Sequence, residues 1–259
     1  MDIFQAVFLG LIQGLTEFIP VSSSGHLVIF QNFFEIKENQ LLFNVVVHIG
    51  TLIPIFIVFW KDIKEIIFLK KEKRKEIFYI LIAIIPTGII GILFEDFFET
   101  LFSNSFLTDL MLIITGIILH LSEKINSGDK EIGQLKLWQP LLVGIAQGGA
   151  IIPGISRSGT TIAASLSQGL NRKEAARFSF LISIPVIGGA GFLEFLDVMK
   201  SESINFEYKY LILGFLSASI SGYFALKILL KVLTEKKLNY FSYYCWTVAL
   251  IVLLIELLF

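Results

Sequence analysis

The sequence predicts an all-α polytopic membrane protein: an inverted-topology repeat with about six transmembrane helices and two re-entrant helix hairpins. Three observations carry that expectation. Hydrophobic residues make up 55% of the 259, and mean hydropathy is +0.77. One motif occurs twice at a constant offset of 134 residues, and each copy interrupts an apolar segment. The basic residues collect on one set of the loops between apolar segments.

A helix needs roughly 20 residues to cross a hydrocarbon core of ~30 Å. The chain opens on an apolar segment, about 3–34, broken at its centre by GLIQGLTEFIPVSSSGHL (Gly10 to Leu27). Continuous apolar helices are expected at about 43–60, 77–94 and 106–122. A second broken segment, about 138–170, contains GIAQGGAIIPGISRSGTT (Gly144 to Thr161). Helices at about 178–196, 210–230 and 240–258 complete the chain. Irregular backbone at membrane depth is tolerated only where protein or a polar cavity covers it, so each broken segment reads as two short helices that enter and turn back. Three full crossings per half is an odd number, so the second half lies upside down relative to the first. The expected unit is one integral-membrane domain, 1–259, made of two inverted repeats at about 1–125 and 136–259.

Charge placement sets the expected orientation. One side collects Lys61, Lys64, Lys70, Lys71, Lys73, Arg74, Lys75, Lys124, Lys130, Lys136, Arg172, Lys173, Arg177, Lys231, Lys236 and Lys237. The other holds only Lys37, Lys200 and Lys209, and its loop 95–105 carries Glu95, Asp96 and Glu99 without a base. By the positive-inside rule the basic side is cytoplasmic, and both termini lie outside. The run KKEKRKE (70–76) reads as a solvated juxtamembrane loop rather than a lipid-binding patch. A net charge of -1 gives no case for a nucleic-acid partner. The one cysteine, Cys245, excludes a disulfide framework, and the start MDIFQ lacks the features of a secretory signal.

The motif copies match at Gly10/Gly144, Gln13/Gln147, Gly14/Gly148, Ser22/Ser156, Ser24/Ser158 and Gly25/Gly159. They differ where chemistry would lie. Glu17 and His26 face Ile151 and Thr160 in the other copy, and Arg157 faces Ser23. Gln13 and Glu17 are four apart and share a helical face. An intramembrane carboxylate is costly and marks a functional candidate. Serines before a helix start offer hydroxyls, free N–H groups and the positive end of the dipole, which together suit phosphate. Ser22, Ser24, Gly25, Ser156, Ser158, Gly159 and Thr161 are the expected phosphate-binding residues. Arg157 adds a planar fork suited to phosphate oxygens. His26 is a candidate base, acid or nucleophile. His48 and His120, on apolar spans, read instead as polar contacts between helices. No His/Cys cluster with zinc spacing occurs, so a divalent ion would be a hard cation bridging phosphate and Glu17.

QGLTEFIPVSSSGH and PGISRSGTT resemble the two signature motifs of the undecaprenyl-diphosphate phosphatase family (BacA/UppP type, the bacitracin-resistance proteins). Length, repeat and the segment ARFSFLISIP (176–185) extend the resemblance over nearly the whole chain. It implies a bacterial inner-membrane hydrolase that converts undecaprenyl diphosphate to the monophosphate and inorganic phosphate, recycling the lipid carrier for peptidoglycan synthesis. It also implies a divalent cation (Mg2+ or Ca2+). The family's (E/Q)xxxE falls on Gln13 and Glu17, its serines and histidine on Ser22, Ser23, Ser24 and His26, and its PGxSRSxxT on Pro153 to Thr161. Some relatives carry a second acid where this chain has Gln13, which leaves Glu17 as the charged metal ligand. Glu17, Ser23, His26 and Arg157 are the expected catalytic set, with Ser23 or His26 as nucleophile. The alternative reading is a secondary transporter or lipid-carrier flippase, which also uses inverted repeats with broken helices.

Overall fold

The computed structural model describes residues 1–36, 40–102, 105–200 and 207–258. Lys37, and the side chains of Glu99 and Lys200, lie outside the described residues. All of the regular structure described is helical, save an isolated backbone pairing between Lys130 and Leu170. The helices run α1 (Ile3–Phe18), α2 (Ser23–Phe33), α3 (Gln40–Val58), α4 (Trp60–Ile67), α5 (Arg74–Leu93), α6 (Glu95–Phe102), α7 (Ser105–Lys124), α8 (Trp138–Gly149), α9 (Arg157–Ser167), α10 (Arg172–Lys200), α11 (Tyr208–Thr234) and α12 (Asn239–Leu258).

Six of these, α3, α5, α7, α10, α11 and α12, are long and apolar enough to span a membrane. Each matches an expected span, though α10 begins six residues earlier than expected because Asn171 Oδ1 accepts from Glu174 N and starts the helix there. Two segments read as loops are helical. Trp60–Ile67 places Ile63 in the core while Lys61 and Lys64 stay outside, and Glu95–Phe102 opens on two acids that suit a helix N-terminus.

The pairs α1–α2 and α8–α9 are helix hairpins that enter from opposite ends. In the first, Phe4 and Phe8 near the start of α1 pack edge-on to Phe34 just past α2. In the second, Gln139 at the start of α8 donates to Gln168 O beyond α9 (3.0 Å), and Lys130 N donates to Gly169 O (3.2 Å). That second end also gathers the basic segments. Arg177 bonds Asp62, Glu76 and Glu174 at 2.5–3.0 Å, and Arg172 bonds Glu123 at 2.9 Å. Glu123 in turn accepts from Leu238 N (2.8 Å).

The repeated glycines serve packing. Gly10 and Gly14 form a small-xxx-small stripe on α1 that lets α11 approach closely, with Gly214 O 2.5 Å from where a Cβ of Gly10 would sit. A Cβ at Gly14 would strike Ser221 Oγ, and one at Gly144 would strike Ala83 O on α5. Backbone contact is sealed by Ser217 Oγ donating to Val7 O (2.8 Å) on one side and Thr87 Oγ1 donating to Gly144 O (2.9 Å) on the other. The packing partners exchange in step: α1 on α11 answers α8 on α5, while α7 packs on α12 and α3 on α10.

Candidate active site at the two helix breaks

Both breaks end α-helical chain with a proline and restart it on serine. Helix α1 stops at Phe18 before Pro20, and α8 stops at Gly149 before Pro153. Ser22 caps α2 by accepting from Gly25 N (3.3 Å), and Ser156 caps α9 by accepting from Gly159 N (3.1 Å). Ser22 and Ser24 hydroxyls lie 3.3 Å apart, as do those of Ser156 and Ser158. The repeat in sequence is a repeat in geometry. Ser22 departs in one respect: its φ of 68° is left-handed, a strained conformation for a residue with a side chain.

The breaks touch. A Cβ on Gly25 would lie 3.2 Å from Gly154 Cα, and one on Gly159 would lie 3.2 Å from Pro20 Cβ. Ser158 Oγ donates across to Phe18 O (3.4 Å). The second break is held from behind by Thr115, which donates to Gly154 O (2.8 Å) and accepts from Ser156 N (2.9 Å).

Glu17 is the centre of the site, with 6% of its side chain exposed. Its Oε1 accepts from Arg157 (2.5 Å). Its Oε2 accepts from Ser23 Oγ (2.6 Å) and from Gln13 Nε2 (3.0 Å). A carboxylate withdrawn from water thus has a cation and two neutral donors, which is what keeps a buried charge tolerable. The structure therefore brings Gln13, Glu17, Ser23 and Arg157 together. Arg157 also reaches Ser179 O at 3.4 Å.

The remaining expected residues are placed differently. His26 is buried beside the first break. Its Nδ1 lies 2.8 Å from Ser22 O, and its Nε2 lies 2.9 Å from the hydroxyl of Tyr244, whose ring stacks on it at 9°. Thr161 is fully buried, bonded to Arg157 O (2.8 Å) and Ser179 Oγ (2.6 Å), so its hydroxyl supports α9 from within. Ser22, Ser156 and Ser158 are buried, while Ser23, Ser24 and Arg157 are only partly covered. Among the expected site residues, those last three alone are not buried.

His48 corrects its sequence reading in part. Its Nδ1 donates to Asn44 O within its own helix α3 (2.7 Å), and its contact between helices is with the site itself: Nε2 stands 3.8 Å from Glu17 Oε2 on α1, with 30% of the side chain exposed. Its position in VVVHIG, an ionisable residue within an apolar span, was the available signal. Tyr244 had none, since its partner is 218 positions away. His120 tilts against Trp246 between α7 and α12, as a helix contact should.

Among the described residues no three His, Cys, Asp or Glu side chains gather into a metal-binding group. The donor set at Glu17 does suit a hard cation. Gln13 Oε1 is buried without a hydrogen-bond partner beside the carboxylate, a second oxygen of the kind such ions take.

Comparison with known proteins matches the chain along almost its whole length. A family model described as bacitracin resistance protein BacA matches residues 6–251. The chain is 52% identical to an undecaprenyl-diphosphatase of Halothermothrix orenii, over all of both chains. It is 46% identical to one of Carboxydothermus hydrogenoformans, over 99% of this chain and 98% of that one. A third, from Alkaliphilus metalliredigens, is 42% identical over the whole of both. With both signature breaks folded against each other and the match running almost end to end, the chain belongs to the BacA bacitracin-resistance family.

Proposed function

We propose that this chain hydrolyses undecaprenyl diphosphate to undecaprenyl phosphate and inorganic phosphate, at the surface where the two breaks meet. The observation that carries the reading is the Ser23–Glu17–Arg157 arrangement: a partly exposed hydroxyl donating to a buried carboxylate that also pairs with a guanidinium. The diphosphate enters between Ser23, Ser24 and Arg157, with the polyisoprenoid tail among the lipid-facing helices. Arg157 turns from Glu17 to the phosphate oxygens, where its fork and the two helix starts neutralise charge on the transferring group. Ser23 Oγ attacks the terminal phosphorus and passes its proton to Glu17. The bond from that phosphorus to the bridging oxygen breaks, and undecaprenyl phosphate leaves. Water then attacks the seryl phosphate, Glu17 returns its proton to the departing Ser23 oxygen, and inorganic phosphate leaves with the protons of the water. Ser23 is favoured over His26 as nucleophile because its oxygen is the one bonded to Glu17, while His26 Nε2 is engaged by Tyr244.

A divalent cation, Mg2+ or Ca2+, would be held by Glu17 and Gln13 Oε1 and would supply positive charge against the phosphate oxygens. We further propose that the chain is one inverted pair, 1–125 and 136–259, in the plasma membrane of its cell. Its basic end is cytoplasmic, and its termini and site mouth are extracytoplasmic. The charge partition and the opposed entry of the hairpins support that placement. The relatives carry an enzyme's name, which favours the phosphatase reading over the flippase. The test is phosphate release from undecaprenyl diphosphate by the purified protein, with and without chelator. Steady release that chelation stops is expected. No release, alongside substrate-dependent lipid movement in liposomes, would overturn the reading.

A further inference from the structure

We infer that Tyr244 is a positioning residue for the phosphatase reaction, acting through His26, whose ring holds the Ser22 carbonyl one residue before the nucleophile Ser23. The inference rests on the proposed reading of the site and goes beyond it, since Tyr244 belongs to neither motif.

The Ser22 carbonyl accepts from His26 N (3.2 Å), the first bond of α2, and also lies 2.8 Å from His26 Nδ1. A carbonyl oxygen only accepts, so Nδ1 carries the proton. In the neutral ring Nε2 is then an acceptor, and the hydroxyl 2.9 Å away on Tyr244 is its donor. Ring stacking, with centroids 5.6 Å apart and planes 9° from parallel, removes the remaining freedom about the histidine side chain. One break residue and one helix from the far end of the chain thus fix both the tautomer and the orientation of His26.

The asymmetry of the repeat points the same way. Thr160 stands in the second motif where His26 stands in the first, and its Oγ1 has no hydrogen-bond partner among the described residues. The clamp exists only in the copy that carries a titratable side chain. Helix α12 packs chiefly on α7, and the Tyr244 hydroxyl joins it to α2 as well. A hydroxyl placed there for packing alone has no reason to meet the one free nitrogen of a buried ring.

The test uses full-length protein in detergent or nanodiscs. Tyr244→Phe keeps the stacked ring and loses the hydroxyl. With 15N-histidine labelling, wild type should show a His26 ring protonated at Nδ1 with a hydrogen-bonded Nε2, assigned by its loss in His26→Asn. In Tyr244→Phe the Nε2 resonance should move, kcat should fall about 5-fold, the worth of one neutral hydrogen bond, and KM should stay within about two-fold. An unchanged Nε2 resonance with unchanged kcat would overturn the proposal, as would an effect on KM alone. His26→Asn separates the levels. If it is inactive while Tyr244→Phe is unimpaired, the clamp is wrong and the reading of the site stands. If His26→Asn is fully active, the hold of His26 on Ser22 is not needed for turnover and the inference falls, while the roles given to Ser23, Glu17 and Arg157 stand.

Discussion

Arg157 and Glu17 lie 140 positions apart in the chain and 2.5 Å apart in space, one from each helix break. The cation of the second repeat and the anion of the first cancel across the point where the repeats meet. An unpaired charge is costly in a membrane interior, and each copy of the motif supplies the partner of the other's.

Replacing Arg157 by Lys keeps the charge and loses the fork. Turnover of undecaprenyl diphosphate is expected to fall by roughly 10²-fold or more, the scale of one preorganised donor lost from a transition state. A variant with near-wild-type turnover would leave Arg157 as a structural partner of Glu17 alone.

Glu17→Gln should remove most activity, and the activity that remains should require far more divalent cation. Titration of rate against Mg2+ or Ca2+ reads this directly. A reduced rate with an unchanged cation requirement would assign Glu17 to proton transfer without metal binding.

Ser23→Ala should reduce phosphate release to background, because the hydroxyl on Glu17 is lost, whereas Ser23→Thr retains a hydroxyl and measurable turnover. Robust turnover by Ser23→Ala would pass the nucleophile's role to His26.

Arg177 holds three carboxylates at the basic end, so Arg177→Met leaves Asp62, Glu76 and Glu174 without their common partner. Removing one side of such a buried cluster costs about 3–5 kcal/mol. Thermal unfolding in detergent should show the loss, while activity per folded molecule stays close to wild type. An unchanged melting temperature would mean that water already screens the cluster.

Orientation can be read with a single thiol. Cys245 is buried, so a Cys245→Ser background is the clean starting point. Ser24 is the better reporter than Ser22, which is buried and left-handed. Ser24→Cys in sealed cells should react with a membrane-impermeant reagent from outside, and substrate should protect it. Reaction only in inside-out vesicles would reverse the assigned sidedness.

The sequence announces the breaks because proline, glycine and serine have few uses at membrane depth, and it announces their pairing because the same residues recur at one offset. The six crossings follow from length and hydropathy for the same reason. His48 was visible as an ionisable residue in an apolar span, but its nearness to Glu17 depends on how α3 is rotated, which no local pattern encodes. Thr161 shows the reverse limit. A hydroxyl in a phosphate-like motif looked open, and the fold turned it toward Ser179. Short helices α4 and α6 were missed because eight residues offer too few periods to separate an amphipathic turn from a loop.

The contacts of Gly25 with Gly154 and of Pro20 with Gly159 have a consequence for the membrane itself. In the proposed topology the two hairpins dip in from opposite faces, and the apolar barrier is thinnest at the layer where they meet. A methyl group at Gly25 or Gly159 would have to push the two breaks apart, so in the proposed topology a larger residue at either position loosens the seal at the thinnest layer of the barrier.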